Sequence, residues 1–238
     1  MTMKVFVINL ADSSERRMFM SEQLEQQQID FEFFDAIDGR KDHHPLFNRY
    51  DKKSSDKVVQ ATLSGGELGC WASHFLLWQK CIDLNTPIIV MEDDVVIQNF
   101  FKDALSCCEK LAHKYPYIRL ARIWESPSSP VTEYNSFTLI RFLKGVSGTQ
   151  CYMITPKAAK TFIQHSGSWP RAIDTYMDRY WEHGINNYAL TPFAICLAEL
   201  ESEIPRKTKQ KLSLRQKIRR EFVRISDRVA RRKYNRNQ

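Results

Sequence analysis

The chain has 238 residues, 43% hydrophobic and 12% aromatic, which suffices for one large domain or two small ones with a real core. Residues 205–238 hold fourteen Lys/Arg against two Asp/Glu, net +12, whereas residues 1–204 hold 21 basic and 26 acidic side chains, net −5; the overall +7 is a basic tail on an acidic body. Six cysteines without a C-x-x-C pair argue against a zinc site and for free thiols in a reducing compartment. The polar turn after a short apolar start argues against a signal peptide, and no run approaches the ~20 apolar residues of a membrane span.

Residues 4–10 (KVFVINL) predict a buried strand. Residues 12–28 predict a helix capped by Asp12, with Glu15 as capping-box partner. Residues 29–39 (IDFEFFDAIDG) predict a second strand ending in a turn at Asp38-Gly39, and strand–helix–strand opens an α/β sheet. Residues 40–62 are polar and weakly periodic and predict a long mobile loop. A helix follows over 65–85, with Leu68, Trp71, Phe75 and Trp78 on one face.

Next comes PIIVMEDDVVI, residues 87–97: a strand through Ile88, Ile89 and Val90, then Glu92, Asp93 and Asp94 in succession. Residues 100–115 predict a helix, 116–122 a short strand, and 125–136 a loop by composition. FTLIRFL (137–143) and GTQCYMIT (148–155) read as paired strands, and 156–166 as a helix with Pro156 at its start. After Pro170, residues 171–185 predict one short helix rich in aromatics and acids, and NNYALTP (186–192) the last strand.

Adjacent carboxylates repel, so the acidic triplet asks for a cation. At the carboxyl end of a parallel strand in an open α/β sheet ligands bind, and oxygen donors there suit Mg²⁺ or Mn²⁺. Such a cation also neutralises a diphosphate leaving group. A solvated acidic turn is the plainer alternative.

Five segments in order, VFVINLADSSERR, FEFFDAIDG, LSGGELGCWASHFLLWQKC, IIVMEDDV and GTQCYMITPKAAK, resemble the family 25 glycosyltransferases, the bacterial lipooligosaccharide galactosyltransferases and their relatives, over residues 3–190. The resemblance implies an α/β fold of GT-A type, with a mixed central sheet flanked by helices. It implies a UDP-sugar donor, usually UDP-galactose, and a growing lipid-linked oligosaccharide as acceptor. Glu-Asp-Asp then resembles the Asp-x-Asp motif. Asp94 is the expected metal ligand for Mn²⁺ or Mg²⁺, Glu92 faces the ribose or a metal-bound water, and Asp93 is open to either role.

Asn9 and Leu10 end the first strand, where a uracil or ribose would lie. Arg16 and Arg17 follow; one reaches phosphate or both are surface charges. Asp38 and Gly39 serve the base or ribose, or form a purely structural turn. His74 is a ligand or a satisfied core histidine. Glu67 contributes to the donor site or only favours a helix dipole. Gly148, Thr149 and Gln150 begin a strand that the resemblance places near the active site, as a wall for the donor sugar or the acceptor. An inverting reaction needs a base, and Asp174 and Asp178, i and i+4 on one helix face, are the candidates, Asp174 preferred. Trp169, Tyr176 and Trp181 are placed to stack on sugar rings.

The tail, 205–238, is read as a unit separate from the 1–204 catalytic domain. Leu214, Ile218, Phe222, Ile225 and Val229 make one helical stripe among Arg and Lys. Such a helix lies on an anionic membrane surface, through residues 206–238; packing on the body or on a second subunit is the alternative. Nucleic acid is not an expected partner. The expected location is the cytoplasm, at the inner face of the membrane. Two other functions compete: a membrane adaptor without enzymatic activity, and a metal-dependent phosphohydrolase.

Overall fold

The computed structural model describes residues 3–58, 62–198 and 213–238. Its centre is an eight-stranded mixed sheet. The strands are β1 (Lys4–Asn9), β2 (Phe31–Asp35), β3 (Ile88–Glu92), β5 (Tyr117–Arg119), β6 (Ser128–Tyr134), β7 (Phe137–Phe142), β8 (Cys151–Ile154) and β9 (Tyr188–Thr191), in the order β2-β1-β3-β8-β5-β9-β7-β6. A separate pair joins β4 (Val95–Ile97) to β10 (Ile195–Leu197).

Strands β2, β1 and β3 run parallel, with Asn9 opposite Asp35 and Ile8 opposite Glu92. Their carboxyl ends therefore finish on one edge. Strand β8 runs antiparallel to β3, Met91 facing Cys151, which brings the start of β8 to that same edge.

The alternation of side chains on these strands builds two cores. Val5, Val7, Ile89 and Met91 face one side, against Met20 and Leu24 of α1 (Ser14–Gln26) and Phe101 and Leu105 of α4 (Phe101–Leu111). Phe6, Ile8, Ile88 and Val90 face the other, against α3 (Gly65–Leu84) and α5 (Pro156–His165). Both faces being covered, these strands read as unbroken apolar runs.

Helix α3 carries Trp71, Phe75 and Trp78 fully inward and Leu68 at the margin, as its spacing predicts. Trp71 stacks on Trp169 with ring centroids 4.7 Å apart, and Tyr176 packs against both Trp71 and Trp78. Trp169 and Tyr176 are thus core residues rather than sugar platforms. Trp181 is partly exposed, with the Arg179 guanidinium 4.9 Å from its ring.

Several local expectations are corrected. Helix α1 starts after Ser13, which makes no side-chain cap; Asp12 is drawn away by Lys41, 2.6 Å from its carboxylate. The described part of the 40–62 segment holds a 3-10 turn (Pro45–Arg49) and α2 (Lys52–Val58), with Asp51 capping the Ser54 amide at 2.9 Å. Residues 125–136 contain β6, paired to β7 through a register shift between Pro130 and Thr132. Strands β7 and β8 are not partners: β7 lies between β6 and β9, β8 between β3 and β5. The helix expected over 171–185 is two, α6 (Ile173–Met177) and α7 (Tyr180–His183), and β10 follows β9.

The chain ends in α8 (Leu214–Arg236), opened by a capping box between Ser213 and Gln216. The residues expected at 205–212, including the start of the tail, lie outside the described residues. One side of α8 is tied to the body. Asp227 receives Arg179 at 2.6 Å, the Tyr234 hydroxyl donates to the Gly184 carbonyl at 3.2 Å, and the Asn235 amide donates to the Leu143 carbonyl at 3.0 Å. The apolar stripe points away: Leu214, Ile218, Phe222, Ile225 and Val229 are 50–73% exposed. Among the described residues, no helix is long and apolar enough to cross a membrane.

Candidate active site

The ends of β1, β2 and β3, the start of α3, the segment entering β8 and the start of α6 enclose a cavity of about 620 Å³. Of the residues singled out from the sequence for donor or metal binding, all but Arg17 line it: Asn9, Leu10, Arg16, Asp38, Gly39, Glu67, His74, Glu92, Asp93, Asp94, Gly148, Thr149 and Gln150. Asp174 lines it as well. Asp178 does not.

The three consecutive acids meet three different environments. Asp93 is neutralised: one carboxylate oxygen accepts from Arg16 at 2.8 Å and the other from the Asn9 amide at 2.7 Å. Glu92 lies opposite His74 Nε2 at 3.4 Å and accepts the Thr149 hydroxyl on the same oxygen, Oε1. Asp94 is half-buried, and its Oδ1, which is covered, meets no hydrogen-bond partner. Burial first, then the neighbouring charges of Glu92 and Asp93, push its carboxyl from the ordinary range up to about 7. A half-buried carboxylate with one covered oxygen short of a partner, beside a second carboxylate, fits a hard divalent cation. Asp94 and Glu92 are the oxygen donors with capacity for one.

A second set of possible donors meets at Glu92. Cys70, His74 and Glu92 each bring a ligand atom within 4.8 Å of the others. Cys70 was not singled out from the sequence; its signal is the i, i+4 spacing to His74 on α3, which puts both on one helix face. Burial, with Glu92 next, holds its thiol well above the usual range.

The opposite wall is the Ile37–Arg40 turn pressed onto the start of α3. A Cβ on Gly39 would collide with the Gly65 carbonyl, and one on Gly69 with the Ile37 carbonyl. Gly65 and Gly69 of LSGGELG are thus explained by close backbone approach. Asp38 is held by the Arg40 side chain at 2.7 Å, which pulls its carboxyl down to about 2. Arg40 lines the cavity too, a cation the sequence reading passed over. Glu67 caps α3: its carboxylate accepts the Ser64 amide at 2.7 Å and the Ser64 hydroxyl caps the Glu67 amide. Arg17 turns aside to Asp35, 2.6 Å away, leaving Arg16 as the arginine of α1 in the cavity.

Asp174 and Asp178 are separated by their surroundings. Asp174 lines the cavity; its Oδ1 accepts the Thr175 amide at 2.6 Å and its Oδ2 the Gly148 amide at 3.3 Å. Asp178 is buried and saturated, by Arg119 at 3.1 Å, Asn187 at 2.8 Å and the Ser147 amide at 2.8 Å. It is therefore corrected from base candidate to scaffold. Arg119, 2% exposed, also donates to the Gly148 carbonyl at 2.6 Å. Together they fix the left-handed pair Ser147 and Gly148, φ 58° and 76°, that presents Thr149 to Glu92. Nothing in the local sequence marks Arg119 for this, because its partners come from residues 147–148, 178 and 187.

The chain matches the family model described as glycosyltransferase family 25 (LPS biosynthesis protein) over residues 2–177, a span that holds every cavity-lining residue named above and stops before α8. Lipooligosaccharide biosynthesis protein lic2B of Haemophilus influenzae is 25% identical over 210 residues, 82% of this chain and 75% of its own length. Lacto-N-neotetraose biosynthesis glycosyltransferase LgtE of Neisseria gonorrhoeae is 28% identical over 219 residues, 83% and 75%. Procollagen galactosyltransferase 1-B of Xenopus laevis is 33% identical over 107 residues, 43% of this chain and 18% of its own length. With 2–177 matched along an unbroken motif order, the chain belongs to glycosyltransferase family 25.

Proposed function

We propose that this glycosyltransferase moves a hexose, galactose by preference, from a UDP-sugar to a lipooligosaccharide acceptor with inversion at C1. The observation that carries the reading is Asp94: a half-buried carboxylate with one covered, unpartnered oxygen, next to Glu92, in a cavity that also holds Arg16 and Arg40. A family 25 chain has use for that arrangement at a nucleoside diphosphate. The names of the relatives support the finer terms, lipooligosaccharide through lic2B and galactose through the procollagen enzyme.

Asp94 and Glu92 would hold Mn²⁺ or Mg²⁺, which when bound supplies charge neutralisation of the departing diphosphate. Arg16, anchored on Asp93, adds positive charge beside them. Asn9, Leu10, Asp38 and Gly39 line the end where the nucleoside lies, and Gly148, Thr149 and Gln150 line the sugar end. The acceptor hydroxyl attacks C1 as the C1–O bond to the diphosphate breaks, and Asp174 takes the hydroxyl proton. The exposed stripe and basic faces of α8 rest on anionic lipid at the cytoplasmic side, where a lipid-linked acceptor is presented.

The test is a thermal-shift screen of UDP-sugars with and without Mn²⁺. UDP-galactose is expected to stabilise the protein, and more so with the metal. No stabilisation by any UDP-sugar overturns the donor class. Release of sugar phosphate without an acceptor favours the phosphohydrolase reading.

A further inference from the structure

We infer that Trp78, Tyr152 and His74 form a one-way hydrogen-bond chain that positions Glu92 and leaves its Oε2 as the single oxygen offered to the bound ligand. The chain runs from the core to the cavity. Trp78 Nε1 lies 3.0 Å from the Tyr152 hydroxyl, Tyr152 lies 2.8 Å from His74 Nδ1, and His74 Nε2 lies 3.4 Å from Glu92 Oε1. Trp78, Tyr152 and His74 are all fully buried.

The direction follows from the chemistry of the ends. An indole N–H only donates, so the Tyr152 oxygen accepts from Trp78. The Tyr152 hydrogen then has His74 Nδ1 as its acceptor. A ring nitrogen that accepts carries no hydrogen, so the neutral imidazole bears its proton on Nε2. That N–H points at Glu92, and a carboxylate accepts it. The opposite tautomer leaves the Tyr152 hydrogen buried without an acceptor, which is costly. Thr149 donates to the same Oε1, so both bonds that hold Glu92 end on one oxygen.

The chain also decides between the two donor sets that share Glu92. A thiophilic cation on Cys70, His74 and Glu92 needs a bare Nε2 and hence the tautomer that the chain disfavours. The oxygen pair Glu92 and Asp94 makes no such demand. His74, Tyr152 and Trp78 are positioning residues: they act on the ligand through Glu92. Their importance for turnover rests on the proposed function, whereas the tautomer does not.

Nitrogen NMR on histidine-labelled full-length protein reads the tautomer directly. The expected result is a protonated Nε2 and a bare Nδ1 on His74, with the pattern shifting toward a mixture in Tyr152→Phe. A protonated Nδ1 in the wild type, or no change in Tyr152→Phe, overturns the chain. So does a thiolate charge-transfer band with Co²⁺ that disappears in Cys70→Ser. Kinetics supply the second arm. His74→Gln keeps an N–H toward Glu92 and should retain turnover within about 10-fold, whereas His74→Leu should lose roughly 100-fold, the order that a misplaced group costs. Equal losses in two folded variants reject the positioning role. If the wild type turns over no UDP-sugar, the function fails while the NMR result still stands or falls alone.

Discussion

Arg16 Nη1 lies 2.8 Å from Asp93 Oδ1, with both side chains largely covered, and this one ion pair sorts the acidic triplet. Asp93 also holds the Asn9 amide, so β1, α1 and β3 are locked together at the edge where the cavity begins. Breaking such a pair strands a partly buried charge. Arg16→Ala should therefore lower stability by about 1–3 kcal/mol. Urea denaturation checks it. A change within experimental error rejects the pair as a source of stability.

Among the described residues, Asp94 has no ion pair of its own, and Arg16 reaches it only as a neighbouring charge. Asp94→Asn keeps the shape and removes the negative charge. Turnover should vanish while the circular dichroism spectrum is kept, and stabilisation by Mn²⁺ in a thermal melt should be lost with it. The variant should be at least as stable as the wild type without metal, since desolvation and the neighbouring charges of Glu92 and Asp93 disfavour the charge it removes. Near wild-type turnover removes Asp94 from the metal assignment.

Asp174 is the acid at the cavity wall, its Oδ2 accepting the Gly148 amide at 3.3 Å, whereas Asp178 lies outside the cavity and is held by Arg119, Asn187 and Ser147. Asp174→Asn should slow transfer by roughly 10²–10⁴-fold and spare UDP binding. Loss of UDP affinity with transfer intact at saturating donor would place Asp174 in the donor site. Asp178→Asn, by contrast, should cost stability and disturb the Ser147–Gly148 turn.

Much of this was legible before the structure. The apolar runs around β1 and β3 and the 3.6-residue spacing of α3 are strong local signals, and the acids begin at the last residue of β3, where parallel strands place ligands. What was not legible depended on distant partners. Asp174 and Asp178 look alike at i and i+4, and only Arg119 and Asn187, far along the chain, make one of them scaffold. Asp12 has the composition of a cap, yet Lys41 takes it. Residues 125–136 read as loop because Ser and Pro dominate, but an edge strand with a bulge tolerates both. For α8 the stripe was plain from sequence, whereas the side by which it docks was not.

His183 gives stability a pH dependence. It is buried against Phe162 and Tyr176, and its Nε2 has no partner. Burial lowers its pKa from 6.5 to about 4. The unfolded chain thus takes up a proton at a higher pH than the folded one. The contribution of His183 is complete above 6.5 and is lost as pH falls toward 4, by up to about 3 kcal/mol. His183→Asn retains an acceptor for the Ile185 amide and cannot titrate. Between pH 7.5 and pH 5, its urea midpoint should fall less than that of the wild type. Parallel declines reject the assignment.

The last prediction concerns the outward side of α8. Deletion of residues 206–238 looks the obvious experiment, but it would strip Asp227 from Arg179 and Tyr234 from Tyr180. Phe222→Ser with Ile225→Ser is cleaner, because both side chains point to solvent, at 69% and 53% exposure, and neither holds the helix to the body. The double variant should melt like the wild type and transfer equally well to a small soluble acceptor. Its binding to vesicles containing anionic lipid should fall, and with it transfer to a lipid-linked acceptor. The basic residues that remain each contribute ~1 kcal/mol near an anionic surface, screened over ~8 Å at physiological ionic strength. Residual binding by the variant should therefore disappear as salt is raised, whereas wild-type binding should survive in part through the stripe. Unchanged vesicle binding, paired with a shift from dimer to monomer in sedimentation, would assign the stripe to a second copy of the chain instead of lipid.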